Sequence, residues 1–240
     1  MGIFCYNRDV NIPLKGRPYN MRMRKKKHGA ERIAACAEIL MQQPVERIDP
    51  QSVFSVVRPL HLEIGCGKGD FAVGMSAAHP GQNWIAMERV ADVACLALEK
   101  AMRTKESRPD NLRFLIGDAR NASEWFEPHS VDCIYLNFSD PWPKKGYAKR
   151  RLTHQGFLEQ YRQILKEDGL LRLKTDNEGL FLFSLEQFAL CGLKIEWQTN
   201  DLHASEKAET NIMTEYERNF SSKGQPIYSA WVRFGKEQAE

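Results

Sequence analysis

The chain has 240 residues, with 34 Lys and Arg against 31 Asp and Glu, and so fits one large domain or two small ones; no linker-like composition shift divides it. The formal charge of +3 is too mild to identify a nucleic-acid binder by itself, so the distribution of charge matters more than its total. Cys5, Cys36, Cys66, Cys95, Cys133 and Cys191 are scattered without a C-x-x-C pair, and no apolar run approaches the ~20 residues of a membrane span, which argues against a disulfide scaffold, a zinc site and a membrane protein.

Residues 1–20 mix Gly, Pro and Asn without periodicity and are expected to be a disordered extension, or an overextended translation start ahead of Met21. Residues 21–240 are expected to form one domain with a basic N-terminal arm, Arg22 to His28, followed by a helix over Glu31 to Met41, where Ile33, Ala34, Ala37, Leu40 and Met41 fall at helical spacing. From Arg58 onward, strand-like and helix-like patterns alternate. The expected strands are Leu60 to Ile64, Asn83 to Glu88, Leu112 to Ile116, Val131 to Asn137, Gly169 to Lys174, Leu193 to Thr199 and Ile227 to Phe234. Helical patterns follow the first five of these strands. Parallel strands need crossover connections, so this order predicts a Rossmann-like α/β fold: a mostly parallel seven-stranded sheet with helices on both faces. The last two strands, with no clear amphipathic helix between them, predict an antiparallel edge hairpin.

The first strand ends at Gly65-Cys66-Gly67-Lys68-Gly69. A glycine turn before a helix lets backbone approach a ligand closely, although purely structural turns use glycine as well. Three acids sit beside it at strand ends. Glu63, among Leu60, Leu62 and Ile64, is costly to bury without a cationic or hydrogen-bonding partner. Glu88 ends the second strand, from which an acid can reach ribose hydroxyls, and Asp118 follows the third, within reach of an adenine edge. Each acid alone reads more readily as a strand-end cap or surface charge; together they suggest a nucleoside pocket for a cationic ligand such as S-adenosylmethionine.

After the fourth strand comes Asp140-Pro141-Trp142-Pro143-Lys144-Lys145, and Lys144 to Arg151 holds five cations in eight positions with no acid. The prolines stiffen the loop, Trp142 offers a face for a base or braces the loop, and the cations can neutralise phosphates. The ordered set Glu63 to Gly69, Asp140 to Lys145, Lys149-Arg150-Arg151, Lys174-Thr175-Asp176 and Thr214-Glu215-Tyr216-Glu217 resembles that of bacterial tRNA (guanine-N7)-methyltransferases, from about Met21 to Phe234. The resemblance implies the class I methyltransferase fold, S-adenosyl-L-methionine as donor, and a guanine of the tRNA variable loop as acceptor. It further implies that Glu63, Gly65, Gly67, Glu88, Asp118 and Asp140 line the donor site, Asp140 being catalytic as well. Lys144, Asp176, Thr214, Glu215, Tyr216 and Glu217 are implied to hold substrate, and Gly146, Tyr147, Ala148, Lys149, Arg150 and Arg151 to touch RNA. One departure is visible, since many relatives carry Arg-His where this chain has Gly146-Tyr147.

The expected protein is cytoplasmic, metal-free, not membrane-bound, and a monomer or homodimer. Two rivals are a donor-binding RNA-binding protein without catalysis and an exocyclic-amine nucleic-acid methyltransferase. The latter typically shows two prolines before its aromatic, whereas here Pro141 and Pro143 flank Trp142. A nicotinamide dehydrogenase is disfavoured by the G-x-G-x-G spacing.

Overall fold

The computed structural model describes residues 26–41, 47–103 and 110–235; the expected extension over 1–20 and the arm up to Lys25 lie outside the described residues. Strands β1 (Leu40–Met41), β2 (Leu60–Ile64), β3 (Asn83–Glu88), β4 (Leu112–Ile116), β5 (Val131–Asn137), β6 (Leu165–Thr175), β7 (Lys194–Thr199) and β8 (Tyr228–Arg233) form one sheet, and the short helices α1 (Gly29–Ala34), α2 (Pro50–Val53) and α5 (Ala122–Trp125) accompany the longer ones described below. Their order is β1-β4-β3-β2-β5-β6-β8-β7. All neighbours through β6 are parallel, and β8 runs antiparallel between β6 and β7. The expected edge hairpin is present.

Successive strand residues face opposite sides, so the continuous apolar runs supply two cores. On one side, Ile134 and Leu136 of β5 pack with Leu62, Leu171 and Leu173 beneath α6 (Gln155–Ile164) and α7 (Glu178–Leu190). On the other, Cys133 and Tyr135 pack with Trp84, Ala86 and Phe114 beneath α3 (Asp70–Ala78) and α4 (Ala91–Met102).

Two boundaries differ from the sequence expectation. The helix expected over 31–41 stops at Ala34, and Leu40–Met41 adds an eighth strand beside Phe114 and Leu115. The carbonyl of Ile39 accepts from Phe114 N–H at 2.8 Å, so this segment pairs backbone groups of β4 that an edge strand would leave open. Strand β6 starts at Leu165 rather than Gly169, with a register shift against β5 between Val131 and Cys133. No helix among the described residues is long and apolar enough to cross a membrane, and Cys36, Cys66, Cys95, Cys133 and Cys191 are free thiols.

Candidate active site

The C-terminal ends of the central strands open into a cleft of about 680 Å³, lined by Gly65, Gly67, Glu88, Asp118, Asp140 and Trp142 among others. Two glycines of the turn do different work. Gly67 has φ +56°, and a Cβ built there meets nothing within 4 Å, so its backbone stays open to the cleft. Gly69 has φ +79°, and its Cβ would fall 2.8 Å from the Ala97 Cβ, so its bareness lets α3 start against α4. Backbone openness and helix packing thus come from one short motif.

The acids at the ends of β2, β3 and β4 are tied into the scaffold. Gly67 N–H donates to Glu88 Oε2 at 3.1 Å and Val90 N–H to Oε1 at 2.8 Å, so Glu88 joins the glycine turn to the loop after β3. Burial raises its carboxyl above the ordinary value. Asp118 takes a two-pronged contact from Arg120, 3.1 Å from Nε and 2.9 Å from Nη2, which lowers its carboxyl. Glu63 is 1% exposed and sits beneath the cleft, outside its lining. Asn137 Nδ2 donates to Glu63 Oε1 at 2.9 Å, while Oε2 finds no hydrogen-bond partner among the described residues. Burial pushes this carboxyl up to about 7, against the pull of Asn137 and the Lys174 charge.

The segment after β5 is built as a presented loop. Phe138 and Trp142 both hold left-handed backbone, at φ 53° and 41°. For non-glycine residues each such conformation costs roughly 1–3 kcal/mol and persists only where neighbours fix it. Phe138 N–H donates to the Lys174 carbonyl at 2.8 Å. Arg151 donates from Nε to the Pro141 carbonyl at 2.9 Å and from Nη2 to the Trp142 carbonyl at 3.1 Å, and stacks 4.2 Å over Phe183 of α7. Arg150 lies 4.9 Å over Trp142 and 4.7 Å over Tyr147. Tyr147, half of the Gly146-Tyr147 departure, therefore completes a bracing stack on Trp142. Asp140, Lys149 and Arg150 are exposed and line the cleft, Lys144 and Gly146 are exposed outside its lining, and Ala148 is half-buried.

The Thr214 to Glu217 segment, loop by pattern alone, opens α8 (Glu215–Ser221) with a capping box: Glu217 N–H donates to Thr214 Oγ1 at 2.9 Å, and Thr214 N–H to Glu217 Oε2. Its threonine followed three residues later by glutamate is the signal that identifies such a start. Glu217 is 0% exposed and pairs with buried Lys174 at 2.9 Å. Tyr216 OH donates to Asp176 Oδ2 at 3.2 Å. The site is thus split: Gly65, Gly67, Glu88, Asp118, Asp140, Lys149 and Arg150 line the cleft, whereas Asp176 and α8 stand beside it. Sequence reasoning missed Arg89 and Arg120, which also line the cleft. Their places, directly after Glu88 and two past Asp118, were the available signal.

A parallel sheet, a glycine turn after its central strand and a strand-end cleft with acids on successive loops define a class I methyltransferase. Solved 16S rRNA methyltransferase KamB shares this fold, with a TM-score of 0.59 at 12% identity over 79% of this chain and 95% of that one. A family model described as a putative methyltransferase matches residues 57–230. The tRNA (guanine-N(7)-)-methyltransferase of Limosilactobacillus reuteri is 46% identical over 215 residues, covering 89% of this chain and 100% of that relative. Its counterpart from Lysinibacillus sphaericus is 44% identical, covering 89% and 98%. The chain belongs to the tRNA (guanine-N(7)-)-methyltransferase family.

S-adenosylmethionine, the donor of this class, fits the cleft. The open glycine backbone admits close approach. The lining mixes Glu88, Asp118 and Asp140 with Arg89, Arg120, Lys149 and Arg150, which suits a ligand carrying both an ammonium and a carboxylate. Among the described residues no cluster of His, Cys, Asp and Glu could hold a metal ion.

Proposed function

We propose that the chain transfers a methyl group from S-adenosylmethionine to N7 of a guanine in the variable loop of tRNA, forming 7-methylguanosine, in the cytoplasm. The observation that carries this reading is Asp140, an exposed acid on a strained, braced loop between the donor cleft and the basic segment Lys144 to Arg151. The donor supplies an electrophilic methyl on a sulfonium. Guanine N7 has an in-plane lone pair and no proton, so the chain needs no general base. Its task is alignment and offsetting the positive charge that develops on the purine.

Asp140 and Asp176 accept from the guanine N1–H and exocyclic amine and favour that charge. On the donor side, Glu88 uses its remaining lone pairs for ribose hydroxyls, Asp118 meets the adenine edge, and Gly65 and Gly67 give backbone access. Glu63 sits beneath the turn, where a bound ammonium would draw its carboxyl toward the charged form. Tyr216, held to Asp176, offers a ring beside the guanine; Thr214 and Glu217 keep it there through the capping box and the Lys174 pair. Lys144 and Lys149 attract phosphates directly, whereas Arg150 and Arg151 serve the RNA by bracing the loop. Because the A-form major groove hides N7, the target guanine is unstacked or extruded when it reacts.

Calorimetry with S-adenosylmethionine, paired with tritium transfer from labelled donor to tRNA, tests this function. Donor binding with label transfer is expected. Binding without transfer leaves a non-catalytic donor-binding RNA-binding protein instead.

A further inference from the structure

Helix α8 has only seven residues, and its periodicity gives it three faces. Glu217 points to the sheet, where Lys174 at 2.9 Å, Asn211 and His203 surround its carboxylate. Tyr216 and Phe220, four residues apart and stacked at 4.4 Å, turn to the acceptor edge, where Tyr216 lies 5.1 Å from Phe138 and donates to Asp176. Glu215 and Arg218, three residues apart, turn to the donor side. Glu215 pairs at 2.8 Å with Lys68 of the glycine turn, and Arg218 at 3.6 Å with Asp70, the first residue of α3. Asp70 is itself held by Lys100 of α4 at 2.8 Å.

A single element therefore touches both the turn that borders the donor and the acid beside the acceptor. A helix this short cannot hold its own conformation in water, so its position depends on these contacts. Lys68 lies between Gly67, which lines the cleft, and Gly69, which packs on α4, so restricting the turn restricts Lys68 as well.

We infer that Lys68 and Arg218 are positioning residues: through Glu215 and Asp70 they hold Tyr216 against Phe138 and Asp176, so that a filled donor cleft tightens the grip on the acceptor. The inference rests on the proposed function and names a task for Glu215 that needs no contact with RNA. Coupling of this kind is reciprocal, so bound tRNA tightens the donor by the same factor.

The test is tRNA affinity by filter binding, with and without S-adenosylhomocysteine, in the wild type, Lys68→Glu, Glu215→Lys and the double charge swap. The wild type binds tRNA more tightly with S-adenosylhomocysteine than without. Each single variant loses about two- to fivefold of that enhancement, the scale of an exposed ion pair, and the swap restores it. Arg218→Ala shifts the ratio in the same direction. Lys68 and Glu215 are half-exposed, so the variants are expected to fold, which unchanged melting temperatures would verify. An enhancement unchanged in Lys68→Glu, absent in the wild type, or not restored by the swap overturns the inference. If the wild type still forms 7-methylguanosine, the proposed function survives that result; a wild type that forms none loses both.

Discussion

The proposed donor side and the proposed reacting centre hold their acids in opposite ways, Glu63, Glu88 and Asp118 on the one and Asp140 on the other. Glu63, Glu88 and Asp118 are committed to Asn137, to the backbone amides of Gly67 and Val90, and to Arg120, so they are parts of the scaffold as much as of the pocket. Asp140 is instead exposed at the tip of a loop whose cost is carried by Arg151 and Lys174. The contrast teaches that changing a donor-side acid reports on folding and binding together, while changing Asp140 reports mainly on chemistry.

The largest effect is expected at that exposed acid. Single-turnover methylation with Asp140→Asn should slow by about a hundredfold or more, the usual scale for losing one preorganised charge at a reacting centre, with little change in melting temperature. Asp176→Asn should slow it less, because Tyr216 retains its contacts with Phe138 and Phe220. Near-parental rates for both would remove the assignment.

The scaffold role of Glu63 has a pH signature. Its folded value of about 7 exceeds the ordinary 4.5, so the folded chain binds a proton that the unfolded chain has released. This group's contribution is therefore full below about pH 4.5 and is lost as pH rises to about 7, by roughly 3 kcal/mol. Glu63→Gln keeps an oxygen for Asn137 and removes the titration. Relative to the parent, its donor-free melting temperature should be higher at pH 8 than at pH 5; the same difference at both contradicts the buried-acid account.

Two smaller effects sharpen the comparison. Both glycines hold a positive φ, but Gly69→Ala also places a Cβ 2.8 Å from Ala97 and should cost about 2 kcal/mol in urea unfolding, whereas Gly67→Ala meets open space, carries the backbone strain of about 1 kcal/mol alone, and should show its larger effect on donor affinity. The reverse ranking breaks the division of labour within the turn. Arg151→Lys removes the two-pronged hold on the Pro141 and Trp142 carbonyls and should raise the KM for tRNA by about three- to tenfold while leaving donor affinity unchanged. A loss confined to salt-dependent RNA binding would instead mark Arg151 as a direct phosphate contact.

Much of this was legible in the sequence because period and punctuation coincide. The apolar runs ending at Gly65, Glu88, Asp118 and Asn137 gave the parallel order and put the acids on one edge. Leu40–Met41 was not legible, since two residues carry no period and a helical pattern covers them. Glu63 looked like a ligand contact because burial depth cannot be read from alternation alone; its place beneath the cleft depends on Asn137 from a strand 74 residues away. Arg151 and Lys149 both read as cations of one basic run, yet the first turns inward to carbonyls and the second lines the cleft. Helix α8 was hidden by its polarity, because a helix that buries an ion pair shows no apolar stripe.

The most direct test is nucleoside mass spectrometry of unmodified tRNA after incubation with the protein and S-adenosylmethionine. 7-Methylguanosine that maps to the variable loop and disappears with Asp140→Asn is the result expected here. A methylated product on an exocyclic amine, or no methylated nucleoside at all, contradicts the account.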